Sequence, residues 1–157
     1  MNENDNKFMQ IAVDISINSL TSNGGPFGAV IVKNWEIISK ASNSVTKDND
    51  PTAHAEVNAI RAACSALKLF DLSGCSIYTS CEPCPMCLGA IYWARIDKIF
   101  YANSKTDAKN IGFDDSFIYD ELSKIMSERS IPSIQIMQNE AIKAFDAWKQ
   151  KTDKTEY

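Results

Sequence analysis

Residues 75–102 read CSIYTSCEPCPMCLGAIYWARIDKIFYA, and their punctuation decides the architecture. Residues 75–79 (CSIYT) and 98–102 (KIFYA) are short runs rich in β-branched and aromatic side chains, the composition of strands. Between them, Pro85 suits the first turn of a helix running to Arg95, because a proline there leaves no N–H unpaired. A strand, a helix and a second strand in this order form a crossover, which joins parallel strands.

The flanking segments extend the pattern. Residues 54–68 place Val57, Ile60, Ala63, Cys64 and Leu67 on one side of a helix, preceded by Pro51 and Thr52. Residues 27–32 and 35–40 meet across a short turn as a β-hairpin. Residues 6–20 carry Phe8, Ile11, Ala12, Ile15 and Ser19 at helical spacing, with Asn4 or Asp5 as a cap. Downstream, residues 103–110 read as a loop and 115–124 as a short helix. Residues 133–137 (SIQIM) alternate like a last strand behind Pro132, and 140–151 read as a final helix capped by Asn139. The expected fold is α/β: a three-layer α/β/α arrangement whose mixed, mostly parallel five-stranded sheet lies between helices. No linker or repeat divides the 157 residues, so one domain, 1–157, is expected.

Composition narrows the function. With 45% hydrophobic and 23% charged residues the chain is ordinary globular protein rather than a disordered or low-complexity one. Sixteen basic against twenty acidic residues leave a net charge of -4, which disfavours sequence-independent nucleic-acid binding. Five cysteines are too few for a disulfide scaffold and cannot all pair within one chain, so reduced thiols are expected. The polar start MNENDNK lacks the apolar core of a signal peptide, and no run of about 18 apolar residues occurs. A soluble, cytoplasmic protein without a membrane partner is the expectation.

The chemistry-bearing residues fall in two motifs, His54-Ala55-Glu56 and Cys81-Glu82-Pro83-Cys84-Pro85-Met86-Cys87. Imidazole nitrogen and thiolate sulfur suit zinc, which takes three protein ligands when its site is catalytic. His54, Cys84 and Cys87 supply three. Cys84 and Cys87 are three apart at a helix start, so they share a face, and the helix dipole there favours thiolates. His54 and Glu56 are two apart, about 200° around a helix interior, so both serve one site only if they stand at a helix's N-terminal end. Glu56 is then expected beside the fourth metal position without being a ligand.

Read singly, each motif leaves other readings open. A Cys-x-x-Cys pair also fits a structural zinc half-site or a redox pair. Cys81, Cys84 and Cys87 have iron–sulfur spacing, but a fourth thiolate followed by proline is missing. Cys64 and Cys75 could complete a four-thiolate site, though as small apolar residues they suit the core. Taken jointly, the two motifs favour one catalytic zinc per subunit.

These residues resemble the H-x-E and P-C-x-x-C signature of the zinc-dependent cytidine/deoxycytidylate deaminase-like family, which acts on nucleobases and nucleosides. The wider stretches DPTAHAE (50–56) and TSCEPCPMC (79–87) resemble its purine-acting branch. GGPFGA (24–29), LGAIYWAR (88–95), GFDDSFIY (112–119) and the closing Glu156-Tyr157 are similar to bacterial guanine deaminases over essentially the whole chain. That resemblance implies hydrolysis of guanine to xanthine and ammonia, with Glu56 as the catalytic proton carrier. It also implies a purine-binding pocket: Phe27 as a stacking face, Asn43 as an amide bonding the base, Ala55 and Trp93 in its wall, Asp115 accepting ring or amino N–H, and Tyr157 as a lid. It further implies a homodimer in which a segment of about 138–157 is exchanged between subunits, with residues 130–132 as hinge.

Each of these residues also has a plainer reading. Phe27 opens a strand and suits the core, Trp93 suits a subunit interface, and Asn43 suits a turn. Asp115 suits a helix cap, and Tyr157 an exposed terminus. The alternative activities are a tRNA-specific adenosine deaminase and a zinc-stabilised interaction domain without turnover. A last helix mixing Glu140, Lys143, Asp146 and Lys149 lacks the basic face that a tRNA substrate calls for.

Overall fold

The computed structural model describes residues 3–157, so the first two residues of the polar N-terminal stretch lie outside it. The elements run α1 (Glu3–Ser19), β1 (Gly28–Lys33), β2 (Glu36–Ser42), α2 (Val45–Asp48), α3 (Ala55–Leu67) and β3 (Cys75–Cys81). They continue through α4 (Pro85–Trp93), β4 (Lys98–Asn103), α5 (Lys105–Asn110), α6 (Ser116–Ser123) and α7 (Gln138–Gln150), with short 3-10 turns at Leu20–Ser22 and Met126–Glu128. The chain divides into two units, Met1–Asp115 and Ser116–Tyr157.

All described strands belong to the first unit, in one sheet ordered β2-β1-β3-β4. β1 and β2 form the expected hairpin, turning through Asn34 and Trp35, both in the left-handed region at φ 50 and 66. β3 and β4 pair in parallel through α4. β1 and β3, however, pair antiparallel, Ala29 opposite Thr79 and Lys33 opposite Cys75. The sheet is therefore mixed, as expected, but not mostly parallel. The crossover through α3 joins β2 and β3, which do run the same way, while β1 lies between them.

Strand alternation sorts the core into two layers. Val30, Val32 and Tyr78 meet Phe8 and Ala12 of α1 on one face. Ala29, Ile31, Cys75 and Ile77 meet Ala55, Ala59 and Ala63 of α3 and Ile91 of α4 on the other. The result is the anticipated α/β/α layering. Removing Ile31, Leu72 or Ile77 from water stabilises the fold by about 1.5–3 kcal/mol each. α1 lies so close to β1 that a side chain at Gly28 would collide with the Ala12 carbonyl.

The sheet has four strands rather than five. Residues 133–137 form no ladder, and Ile134 and Ile136 are 82% and 75% exposed. Alternation sets which way side chains point, but a strand also needs an edge to pair with. Residues 103–110, expected as loop, contain α5, whose start is a capping box: Ser104 and Asp107 bond each other's backbone N–H groups.

The second unit holds α6 and α7, neither with a buried residue. Glu121 ties it locally, accepting from Lys124 Nζ at 2.6 Å and from the Ser130 N–H at 2.7 Å. Among the described residues no helix is long and apolar enough to cross a membrane.

Candidate metal centre and surrounding pocket

Two helix starts build the centre. His54 is the N-cap of α3, in extended conformation at φ -69, ψ 155. Asn58, one turn into that helix, reaches Ser42 O, Ser44 Oγ and Ala53 O at 3.1, 3.0 and 3.3 Å, tying the segment before His54 to the end of β2. Cys84 is the N-cap of α4, Pro85 occupies its first turn, and Cys87 lies one turn in, fully buried. The loop before α4 is pinned: Glu82 N–H donates to Asn103 O, and Glu82 Oε2 accepts the Lys105 N–H.

His54 Nδ1 stands 3.6 Å from Cys84 Sγ and 3.4 Å from Cys87 Sγ, and the three ligand atoms lie within 4.8 Å of one another. Tetrahedral zinc, with Zn–S near 2.3 Å and Zn–N near 2.0–2.1 Å, sets nitrogen and sulfur about 3.6 Å apart, so the donors fit that ion. Their charges fit it as well. The Cys84 thiol is pulled down to about 4 by the Cys87 hydrogen bond and, more weakly, by His54, against its burial. Cys87 is pushed up by sharing its proton with Cys84 and by burial, while Cys84 raises the pKa of His54. The three side chains thus share protons among them, and a dication held there would take the place of those protons.

The other cysteines stand outside the group. Cys81 is buried, its thiol pushed up to about 11 chiefly by that burial, and it faces Ser104 O at 3.7 Å. Cys64 and Cys75 are raised by burial and pack in the core. Among the described residues the ligand group closes at three.

Glu56, in the first turn of α3, is buried beside the triad; Cys87 Sγ–H donates to its Oε2 at 3.4 Å and Thr79 Oγ–H to its Oε1 at 3.2 Å. Desolvation raises its pKa. The Thr79 contact escaped the sequence reading; its signal is a hydroxyl on the inward face of a strand otherwise bearing Cys75 and Ile77.

The residues expected around the base are placed as follows. Asn43 Oδ1 accepts from Gly25 N–H at 3.4 Å and from Val45 N–H at 3.3 Å, which turns its amide nitrogen away from both. It is therefore also the turn residue of its plainer reading. Gly25 leaves room for this amide, since a Cβ there would stand 3.1 Å from Oδ1. Ala55 is fully buried at the first position of α3. Phe27 meets Phe113 edge to face at 4.9 Å, a partner the sequence did not suggest.

Asp114 and Asp115 are not equivalent. Asp114 pairs with Lys109 at 3.0 Å, whereas Asp115 is half-buried, its carboxyl raised by desolvation and then by the nearby Cys84 charge. Trp93 ends α4, about 240° around the helix from Cys87, and with Gly89, Tyr92 and Arg95 lines a surface cavity. The structure does not gather it with the ligands in this chain. Tyr157 belongs to the second unit and is exposed.

Comparison with known proteins accords with this geometry. Residues 2–103 match the cytidine and deoxycytidylate deaminase zinc-binding region. The chain is 53% identical over 155 residues to the guanine deaminase of Bacillus subtilis, covering 98% of this chain and 99% of that one. The X-ray structure of a guanine deaminase from the same organism superposes with a TM-score of 0.94 at 52% identity, covering 100% of this chain and 99% of that one. A tRNA-specific adenosine deaminase of Aquifex aeolicus is 44% identical over 105 residues, 67% of this chain and 68% of that one. A donor triad at two helix starts, the motifs that frame it and a match across the whole metal-binding region together establish that the chain belongs to the zinc-dependent cytidine and deoxycytidylate deaminase family.

Proposed function

We propose that the chain is a guanine deaminase, hydrolysing guanine to xanthine and ammonia with one zinc ion per subunit. The observation that carries this reading is the likeness, end to end, to a guanine deaminase, whereas the tRNA deaminase described above matches two thirds of the chain. A ligand group of three favours catalysis over a purely structural zinc, because a structural site normally closes its fourth position with protein.

His54, Cys84 and Cys87 would hold the zinc, which would lower the pKa of a water toward about 7 and so supply the nucleophile at neutral pH. Glu56 accepts the water proton and passes it to guanine N3 as oxygen bonds to C2. It then carries the second proton to the departing amine as the C2–N bond breaks, leaving xanthine and ammonia. Asp115 accepts from the N1–H and 2-amino donors of guanine, and its charge repels nucleic-acid phosphates. Asn43 offers its Nδ2 hydrogens to acceptors on the base edge, while Phe27, braced by Phe113, provides a ring face. Ala55 contributes to the pocket wall.

The same reading makes the protein a cytoplasmic homodimer in which residues 138–157 pack on the partner and Tyr157 closes the partner's pocket. In support, Ile142, Phe145 and Trp148 of α7 are exposed, and no residue of that helix is buried. Residues 130–132, in the loop between α6 and α7, serve as the hinge. Trp93 and Tyr92 at the end of α4 then suit the subunit interface.

A substrate panel tests the activity. Guanine, adenine, cytosine, their nucleosides and a tRNA anticodon arm are assayed for ammonia release, with zinc measured on the same sample. Guanine is expected to be the preferred substrate; turnover confined to the tRNA arm would overturn the reading. Light scattering tests the assembly, with a dimer expected for the full chain and a monomer after deletion of residues 138–157.

A further inference from the structure

The inward row of β3 runs Cys75, Ile77, Thr79, Cys81, and all but one of these side chains are apolar or nearly so. Cys75 and Ile77 join the cluster under α3, where a valine in place of Thr79 would fill the same space without a polar group. Thr79 is only 1% exposed, and its hydroxyl donates to Glu56 Oε1. A buried hydroxyl in an apolar row costs free energy unless a partner satisfies it, and here the partner is the carboxylate beside the metal triad.

The two ends of this contact differ in rigidity. Thr79 sits on an interior strand, with Ala29 of β1 on one side and Tyr101 of β4 on the other, and its β-branched side chain has few χ1 options. Glu56 hangs from the first turn of a helix on three torsions. Its Oε2 faces Cys87, so a donor on Oε1 fixes the rotation of the carboxylate about its own axis.

We propose that Thr79 is a positioning residue for Glu56, anchoring one carboxylate oxygen to the sheet so that the other stays aimed at the metal centre. The proposal rests on the reading of Glu56 as proton carrier. Its role is in the rate of proton transfer rather than in holding base or metal, so it separates from both in experiment.

Thr79→Val, Thr79→Ser and Glu56→Gln are compared with the parent protein for guanine kcat and KM, zinc content and thermal midpoint. Thr79→Val is expected to lower kcat about tenfold or more, the scale of a hydrogen bond to a charged group, with KM, zinc and midpoint little changed. Thr79→Ser, which keeps the hydroxyl, is expected to recover most of kcat. Crystal structures of the zinc-loaded variants should show Glu56 in a changed rotamer in Thr79→Val and the parent rotamer in Thr79→Ser. The proposal is overturned if Thr79→Val keeps full kcat beside an inactive Glu56→Gln, if Thr79→Ser is as slow as Thr79→Val, or if Thr79→Val loses zinc. Full turnover by Glu56→Gln would instead remove the underlying assignment of Glu56, and this proposal with it.

Discussion

The two units of the chain use apolar side chains in opposite ways. In Met1–Asp115, strand alternation and helix faces agree, and Ile31, Leu72, Ile77 and Ile91 are almost wholly removed from water. In Ser116–Tyr157, Ile134, Phe145 and Trp148 face outward, and local order leans on polar contacts such as those of Glu121. The first unit can hold its triad of ligands in one arrangement because dense packing leaves few alternatives. The second has a helix, α7, with apolar side chains at Ile142, Phe145 and Trp148 and no residue that is buried.

The sharpest way to break this contrast is to remove a ligand from the first unit. Cys87→Ala is expected to bring ammonia release to background and zinc, by elemental analysis, to well below one per chain; full zinc occupancy would show that the ion sits elsewhere. Glu56→Gln comes next, with kcat down about 10²- to 10⁴-fold, the usual worth of a positioned proton transfer, and zinc unchanged. Near-parent turnover with zinc bound would sink the role assigned to this residue.

A paired core experiment compares the units directly. Leu72→Ala should destabilise by about 2–5 kcal/mol at any protein concentration, because its side chain is fully enclosed within one chain. Under the proposed exchange, Phe145→Ala should cost little at nanomolar protein and more at micromolar. A cost independent of concentration, measured by denaturant unfolding, would argue against exchange.

The smallest effect concerns acid. The Glu121 carboxyl is held down to about 2, first by Lys124 and then by the Ser130 N–H. A lowered folded-state value stabilises above the unfolded pKa, near 4.5, and that contribution fades as pH falls toward 2. Hydrogen exchange at the Ser130 amide should therefore lose protection over that window relative to Glu121→Gln, whose protection should not vary there. An identical profile in both proteins would mean that the carboxylate does not hold this turn.

Legibility in the sequence followed the range of the interactions. His54, Cys84 and Cys87 were readable because their roles depend on short spacings and on a proline that marks a helix start. The α5 capping box was also present as Ser104-x-x-Asp107, but the surrounding polar run reads as loop when the box is overlooked. The insertion of β1 between β2 and β3 left no local trace, since neither strand's own pattern specifies its neighbour. The strand-like alternation of residues 133–137 failed for the same reason.

What the amino-acid order alone determined is therefore the donor chemistry, the helix starts that carry it and the layering of apolar faces, all set within a few residues by spacing and side-chain type. Only the tertiary structure decided that Thr79 meets Glu56 across 23 positions, that Phe113 braces Phe27, and that Asp115 lies near enough to Cys84 to feel its charge. Such contacts arise where separate elements are packed together, and their distances belong to the folded arrangement rather than to any stretch of chain.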